Sequence, residues 1–251
     1  MKKDRTIQRF GAGCAAAAIG VAALLGGTGG ASAATVTGWV GPAGTTGYLH
    51  TSTIINAPDL TAQSKIYHSF GQSSPDGKLG VRPRLFKSGA LCQASDYQYN
   101  FYTATELTAG TENTCGSGSY NSHGFVALWN ASTNTYNEYV TFPSNPLNWT
   151  DPAASSARSA PTTITDADRK SGVNARGQKF GSAATADADE QADLDLILAI
   201  GNDGAVGFVK TADLNKAPAA NPESAKRAAG QRDIALWNRE GNQQIGTFSI
   251  R

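Results

Sequence analysis

Few side chains of this sequence are of a type and spacing that chemistry can use. The set is three imidazoles (His50, His68 and His123), two cysteines at 92 and 115, and one acidic run. Ser122-His123-Gly124 sets a hydroxyl beside an imidazole. Adjacent residues on an extended chain face opposite ways, so a nucleophile–base pair would need a distant Ser and Asp brought together in space. The G-x-S-x-G elbow is missing, because Gly116-Ser117-Gly118-Ser119-Tyr120 has the wrong register. His123 is therefore the leading candidate for a general base, and no other catalytic residue stands out. Neither H-E-x-x-H nor a close Cys/His spacing occurs, so no zinc is expected. Asp187-Ala-Asp189-Glu190-Gln-Ala-Asp193-Leu-Asp195 is the one acidic cluster. Read as a calcium loop from Asp187, it has Ala192 where glycine is needed and Leu198 where a bidentate glutamate is needed. It reads as a solvated acidic approach to a strand, with an irregular calcium site as the alternative. Phosphate-cradling glycine patterns are absent too, and no cofactor is expected.

Binding chemistry is better represented. Leu91–Phe142 carries Cys92, Cys115, His123 and the densest run of aromatics. Tyr97, Tyr99, Tyr102, Tyr120, His123 and Tyr136 are the candidate binding residues, with Trp129 and Tyr139 in the same stretch. Exposed rings on a β-scaffold stack on sugars or pack on protein partners at little entropic cost. Alternatively most of these rings face the core, and Trp129 and Trp237, inside apolar strands, are read as core.

The elements that must position these groups are strands and turns. Gly, Ser, Thr, Asn and Tyr are plentiful while Met and Leu are few, which favours β structure over a helical bundle. Thr35–Val40 alternates before a turn at Gly41–Gly44, and Gly47–Ile54 and Lys65–Phe70 follow as strands. Gly71–Gly80 is a loop around Pro75-Asp76-Gly77, after which Val81–Phe86 is extended. Tyr97–Thr103 sets Tyr97, Tyr99 and Phe101 on one face and Gln98, Asn100 and Tyr102 on the other, the period of a half-buried strand. Hairpins are predicted for Phe125–Trp129 with Tyr136–Phe142, for Leu194–Ile200 with Val206–Val209 across Asn202-Asp203-Gly204, and for Ile234–Trp237 with Ile245–Ile250. Pro222–Ala229 reads as a short helix stopped by Gly230.

Residues 1–33 have the three-part pattern of a secretory signal peptide: a basic start, an Ala-rich apolar stretch over Gly11–Leu25, and Ala31-Ser32-Ala33. Cys14 lies within it and leaves with it. Removing 1–33 leaves 17 Lys/Arg against 19 Asp/Glu, a net charge of about −2 with no basic block. Nucleic acid, which needs a basic footprint, is not an expected partner. In an oxidising exterior Cys92 and Cys115 pair. The bridge closes a 24-residue loop, worth roughly 3–3.5 kcal/mol in the chain-entropy account.

Some segments resemble known families. Phe180-Gly-Ser182, the acidic-aliphatic strand Asp193–Gly204, Gly207-Phe-Val209, Asp213-Leu214 and the closing Ile245-Gly-Thr-Phe-Ser-Ile250 resemble a short C-terminal module of secreted bacterial proteins. The stretch Cys115–Gly124 with Ala127-Leu-Trp-Asn130 resembles secreted actinobacterial proteins of unknown function. Gly47-Tyr48-Leu49-His50-Thr51-Ser52 is similar to a strand of bacterial SH3-type wall-binding domains, whose Asn-Val-Arg-x-Gly-Pro opening is missing here. These resemblances imply an extracellular bacterial setting and carry over no catalytic residue.

The expected fold is mainly β: a disulfide-bearing antiparallel domain, sandwich or barrel-like, over 34–149, a linker or irregular segment over 150–179, and a small C-terminal β-module with one short helix over 180–251. The expected function is a secreted, monomeric, non-catalytic binding protein for cell wall, polysaccharide or another secreted protein, without membrane contact after cleavage. The alternative is an extracellular hydrolase of uncommon type using His123.

Overall fold

The computed structural model describes residues 33–111, 115–152, 162–227 and 230–251. Residues 1–32 of the expected leader over 1–33, residues 153–161 of the expected linker and residues 228–229 of the expected helix lie outside the described residues. The protein is mainly β, and its described residues form several antiparallel sheets, four short helices and one disulfide. Among the described residues no helix is long and apolar enough to cross a membrane.

The first strands are β1 (Thr35–Thr37), β2 (Gly41–Ala43), β3 (Tyr48–Ile55), β4 (Thr61–His68), β5 (Leu79–Arg82), β6 (Arg84–Lys87) and β7 (Ala90–Ala94). Next come β8 (Gln98–Tyr99), β9 (Glu106–Gly110), β10 (Gly118–Ser122), β11 (Phe125–Asn130), β12 (Thr135–Val140) and β13 (Leu147–Trp149). The remaining strands are β14 (Gly172–Val173), β15 (Lys179–Gly181), β16 (Leu196–Ile200), β17 (Val206–Lys210), β18 (Arg232–Trp237) and β19 (Gln244–Ile250). The helices are α1 (Asp166–Arg169), α2 (Ala188–Asp193), α3 (Thr211–Leu214) and α4 (Pro222–Ala225).

A five-stranded sheet, β1-β3-β4-β9 with β2 on β3, packs over a four-stranded one, β12-β11-β5-β8. Ile66, Leu79, Val81 and Val126 fill the space between them. The burial of β4 alternates strictly, as a strand with one face on the core must. The third sheet has ten strands in the order β13-β10-β6-β7-β19-β18-β17-β16-β15-β14. In it β7 pairs in parallel with both β16 and β19, so β7, β16, β17, β18 and β19 form a closed ring. Leu91, Ile197, Ala199, Val209, Leu236, Phe248 and Ile250 fill its centre, as a small barrel's inward side chains do.

All three predicted hairpins form, as β11–β12, β16–β17 and β18–β19. Gly204, with φ +84°, completes the turn before β17, a conformation glycine adopts without a steric penalty. The division into 34–149 and 180–251 does not describe two bodies. Ala33–Arg251 is one compact unit, because the C-terminal ring is closed by β7 from the N-terminal half. Within the expected irregular segment, α1 carries a full capping box on Thr165, and Ile164 is buried beside Phe180.

Three smaller expectations fail for local reasons. Gly41–Ala43 pairs with β3 instead of turning. Tyr97–Thr103 is a strand only at β8: the Asn100 amide is drawn inward, accepting from Leu79 N–H (2.8 Å) and donating to the Pro75 and Tyr102 carbonyls, which turns Phe101 out to solvent. Trp129 and Trp237 are half-buried, not core; Trp129 packs edge-on to Tyr136, and the Lys210 ammonium lies 4.0 Å from the centre of Trp237.

The Cys92–Cys115 disulfide is present, with Cα atoms 6.1 Å apart. It sits in the cluster of Ile54, Leu85 and Tyr120 between the five-stranded and ten-stranded sheets.

Candidate functional site

Two long ribbons change sheets at one corner. β5 and β6 are a single strand interrupted at Pro83, which has no N–H to give a ladder. β10 and β11 are likewise interrupted at His123–Gly124. Before and after the bend the partners match: Ser122 faces Leu85 and Phe125 faces Arg82. The His123 N–H donates to the Arg84 carbonyl (3.3 Å) across the corner. Gly124 lets the ribbons approach this closely, since a Cβ there would lie 2.4 Å from the Arg82 carbonyl and 2.3 Å from Ser64 Oγ.

The corner concentrates positive charge. Arg82 and Arg84 are 4% and 1% exposed. Their guanidinium carbons lie 4.0 and 4.5 Å from the centre of the Phe125 ring, a cation–π arrangement. Arg84 donates to the His123 carbonyl (3.0 Å) and to Gln191 Oε1 (2.6 Å). Arg84 Nη1 and Arg82 Nε are buried without a hydrogen-bond partner. Among the described residues neither arginine forms an ion pair with a carboxylate. Burial, and then the Arg82 charge, push Arg84 well below the usual guanidinium range. Guanidinium nevertheless stays protonated in proteins, and buried charge without a counter-charge is costly.

Arg82, His123 and Phe125 line a cleft of about 600 Å³. Its apolar wall continues through Tyr139, Val140 and Phe142, and its far side is the start of α2. His50 also faces it, stacked on Tyr139 and Phe142 at 24°. Segment 38–41 lies against Phe142 and Pro143, so the exposed Trp39 and Val40 stand beside Phe142, which is 47% exposed. A second cavity of about 960 Å³ adjoins the first, sharing Pro143, Thr185 and Ala186. Its lining is mixed: Ser88, Ser119, Asn121, Ser144, Asn145 and Ser182 bring hydroxyls and amides, Arg169, Glu190 and Asp193 bring charge, and Tyr120, Pro146 and Leu194 bring apolar surface.

The imidazoles here are weak bases. His123 Nδ1–H donates to the Ala183 carbonyl (3.0 Å), which fixes the tautomer. Burial and then the Arg84 charge drop its pKa to about 3, only partly offset by the carbonyls of Ala183, Thr141 and Ala184. His50 is lowered by burial as well, against an opposing effect of the Pro42 backbone. The Nδ1 bond of His123 goes to a backbone carbonyl, not to the orienting carboxylate of a catalytic triad.

The structure does not gather the predicted residues into one surface. Of the candidates, His123 and Tyr139 line the cleft. Tyr97, Tyr99 and Tyr136 pack on one another, with centroids 5.9 and 5.2 Å apart, in a cluster with Phe125 and Ala127. Their hydroxyls are committed: Tyr97 donates to Glu138 (2.6 Å), Tyr99 accepts from Ala219 N–H (2.7 Å), and Tyr136 donates to the Gly77 carbonyl. Burial raises all three phenols, Tyr99 to about 12. Tyr120 is buried against the disulfide and Trp149, with an edge on the second cavity. Tyr102 stands apart at 84% exposure.

The acidic run serves structure. Asp187 caps α2 by accepting from Glu190 N–H (2.8 Å), Asp193 pairs with Lys179 (3.1 Å), and Asp195 accepts from Lys179 N–H (2.8 Å). Among the described residues no group of three His, Cys, Asp or Glu is placed to hold a metal ion.

Arg82 and Arg84 are the site residues that the sequence reading overlooked. The available signal was Val81-Arg82-Pro83-Arg84-Leu85, two charges spaced at i, i+2 within an apolar extended segment. Comparison with known proteins found no matching family model, no similar curated protein and no similar solved structure.

Proposed function

We propose that this protein is a secreted, non-catalytic binding protein that takes an extended wall glycan or related polysaccharide along the two adjoining cavities. One observation carries this reading: an apolar, ring-walled cleft runs, across the shared wall of Pro143, Thr185 and Ala186, into a larger cavity where serine and asparagine side chains stand among apolar ones. A polymer of sugar rings presents that alternation of ring faces and hydroxyls. Apolar walls with a few convergent polar groups are the usual make-up of a ligand site. The disulfide supports an oxidising exterior, consistent with the leader pattern over 1–33.

The hydrolase alternative rests on His123 reaching the cleft. An imidazole with a pKa near 3 is a poor proton acceptor at neutral pH, where an effective general base lies near the working pH. Binding is therefore preferred. Purified protein should sediment with isolated bacterial cell wall or with an insoluble glycan. Phe142→Ala, at a partly exposed position, should weaken that binding by roughly three- to tenfold, the worth of one ring contact. Absence of sedimentation with every wall and glycan preparation would remove the reading. Turnover of an ester, peptide or glycoside substrate that is lost in His123→Ala would replace it with the hydrolase.

A further inference from the structure

The cleft is chemically lopsided. Its apolar wall ends at the corner where Arg82 lies almost wholly buried, its Nε without a partner. Arg84 stands directly behind, held by the His123 carbonyl and by Gln191, both of which line the cleft. Lys216 adds a third positive charge at the rim, its ammonium 3.9 Å from Asp96 and its side chain 65% exposed. Two carboxylates share the wall, and both are engaged: Glu138 accepts from Tyr97, and Asp187 caps α2. Neither lies within ion-pair distance of Arg82 among the described residues.

A guanidinium withdrawn from water keeps its charge and gains most from an oxyanion, which accepts two parallel N–H bonds in the plane of the fork. Resting on the binding function proposed above, we infer that the Arg82 corner is a subsite for a single acidic group, a carboxylate or a phosphate ester, carried on a ring-bearing body that packs along Phe125, Tyr139 and Phe142. Glu138 and Asp187 line the same cleft, so a second negative charge on the ligand would meet like charges, which repel. The ligand is thus an acidic sugar unit and not a polyanion. Arg84 acts as a positioning residue: it raises the positive potential at the corner while staying tied to the cleft wall.

Titration calorimetry on purified protein with four sugar probes tests this. Glucuronate carries a carboxylate, glucose 6-phosphate a phosphate, glucose no charge and glucosamine a positive charge. At least one acidic probe should bind roughly tenfold or more tightly than glucose, as expected for a charge-assisted hydrogen bond, and glucosamine should bind no better than glucose. Whichever acid wins identifies the group. Arg82→Gln should cancel the preference and Arg82→Lys should keep part of it. Lys216→Gln, at an exposed position where folding is safe, should reduce acid affinity about two- to threefold, as one solvent-screened charge would. If Arg82→Gln does not fold, the acid-to-neutral ratio in the wild type decides alone. Equal binding of acid and glucose, failure of both acids to bind, or acid binding indifferent to a folded Arg82→Gln each overturns the inference. The wall-sedimentation result then shows whether the binding function falls with it.

Discussion

Burying an imidazole fixes how stability depends on pH. The folded chain keeps His123 neutral down to about pH 3, whereas an imidazole in an unfolded chain titrates near 6.5. Between those values the unfolded state takes up a proton that the folded state refuses. The contribution is therefore whole above about pH 6.5 and is lost progressively as pH falls toward 3; its size is on the order of 5 kcal/mol. His50, also lowered by burial, acts in the same direction. Urea unfolding at pH 7 and pH 4 should show the loss, and His123→Gln should flatten it by half or more. A slope unchanged in the variant would place the acid sensitivity elsewhere. His123 was easy to single out in the sequence because imidazoles are so few. Arg82 and Arg84 were not, because an arginine in a sequence is presumed to reach water. Only the corner at Pro83 takes both side chains inside. For the tyrosines both readings, binding face and core, stayed open for a similar reason: period-2 patterning tells which side chains share a face, but not which face is covered.

At the scale of strands and turns, the locally coded pairs were legible. Each hairpin carries its own turn residues, as Asn202-Asp203-Gly204 does for β16 and β17. The parallel contacts of β7 with β16 and β19 join residues more than 100 positions apart and leave no local mark. The corner between sheets was invisible too, although its parts, Pro83 and Gly124, are ordinary breakers. Gly124→Ala tests the corner. The added Cβ meets backbone of Arg82 and Pro83, which cannot move aside as a flexible side chain would. Overpacking of this kind is expected to cost about 3 kcal/mol, read as a lower midpoint in denaturant unfolding. A variant as stable as the wild type would mean that the two ribbons have slack where they cross.

The whole molecule is knitted across its midpoint. Besides β7, the buried carboxylate of Asp96 receives two bonds from Arg232, at 3.2 and 3.0 Å, and Arg232 also donates to the carbonyls of Asp213 and Leu214. The mainly β class was evident from composition, and the disulfide from two cysteines in a sequence with the pattern of an export leader. The two-part division was suggested by the fall in aromatics after Pro143, a change in composition that the sheet simply runs past. Scanning calorimetry should accordingly give one transition, with equal calorimetric and van't Hoff enthalpies. Two resolved transitions would restore separate domains for 34–149 and 180–251.

The position of β7 also sets where the chain can vary. Its five residues are all buried: Leu91 and Ala94 face the ring's interior, Cys92 the disulfide cluster and Ala90 the cluster of Phe180 and Phe208. β4, with one face to solvent, can change at every second residue. Tolerance to substitution therefore has two rhythms, an alternating one along β4 and an unbroken intolerant block at 90–94. That block marks the segment on which both halves of the protein depend.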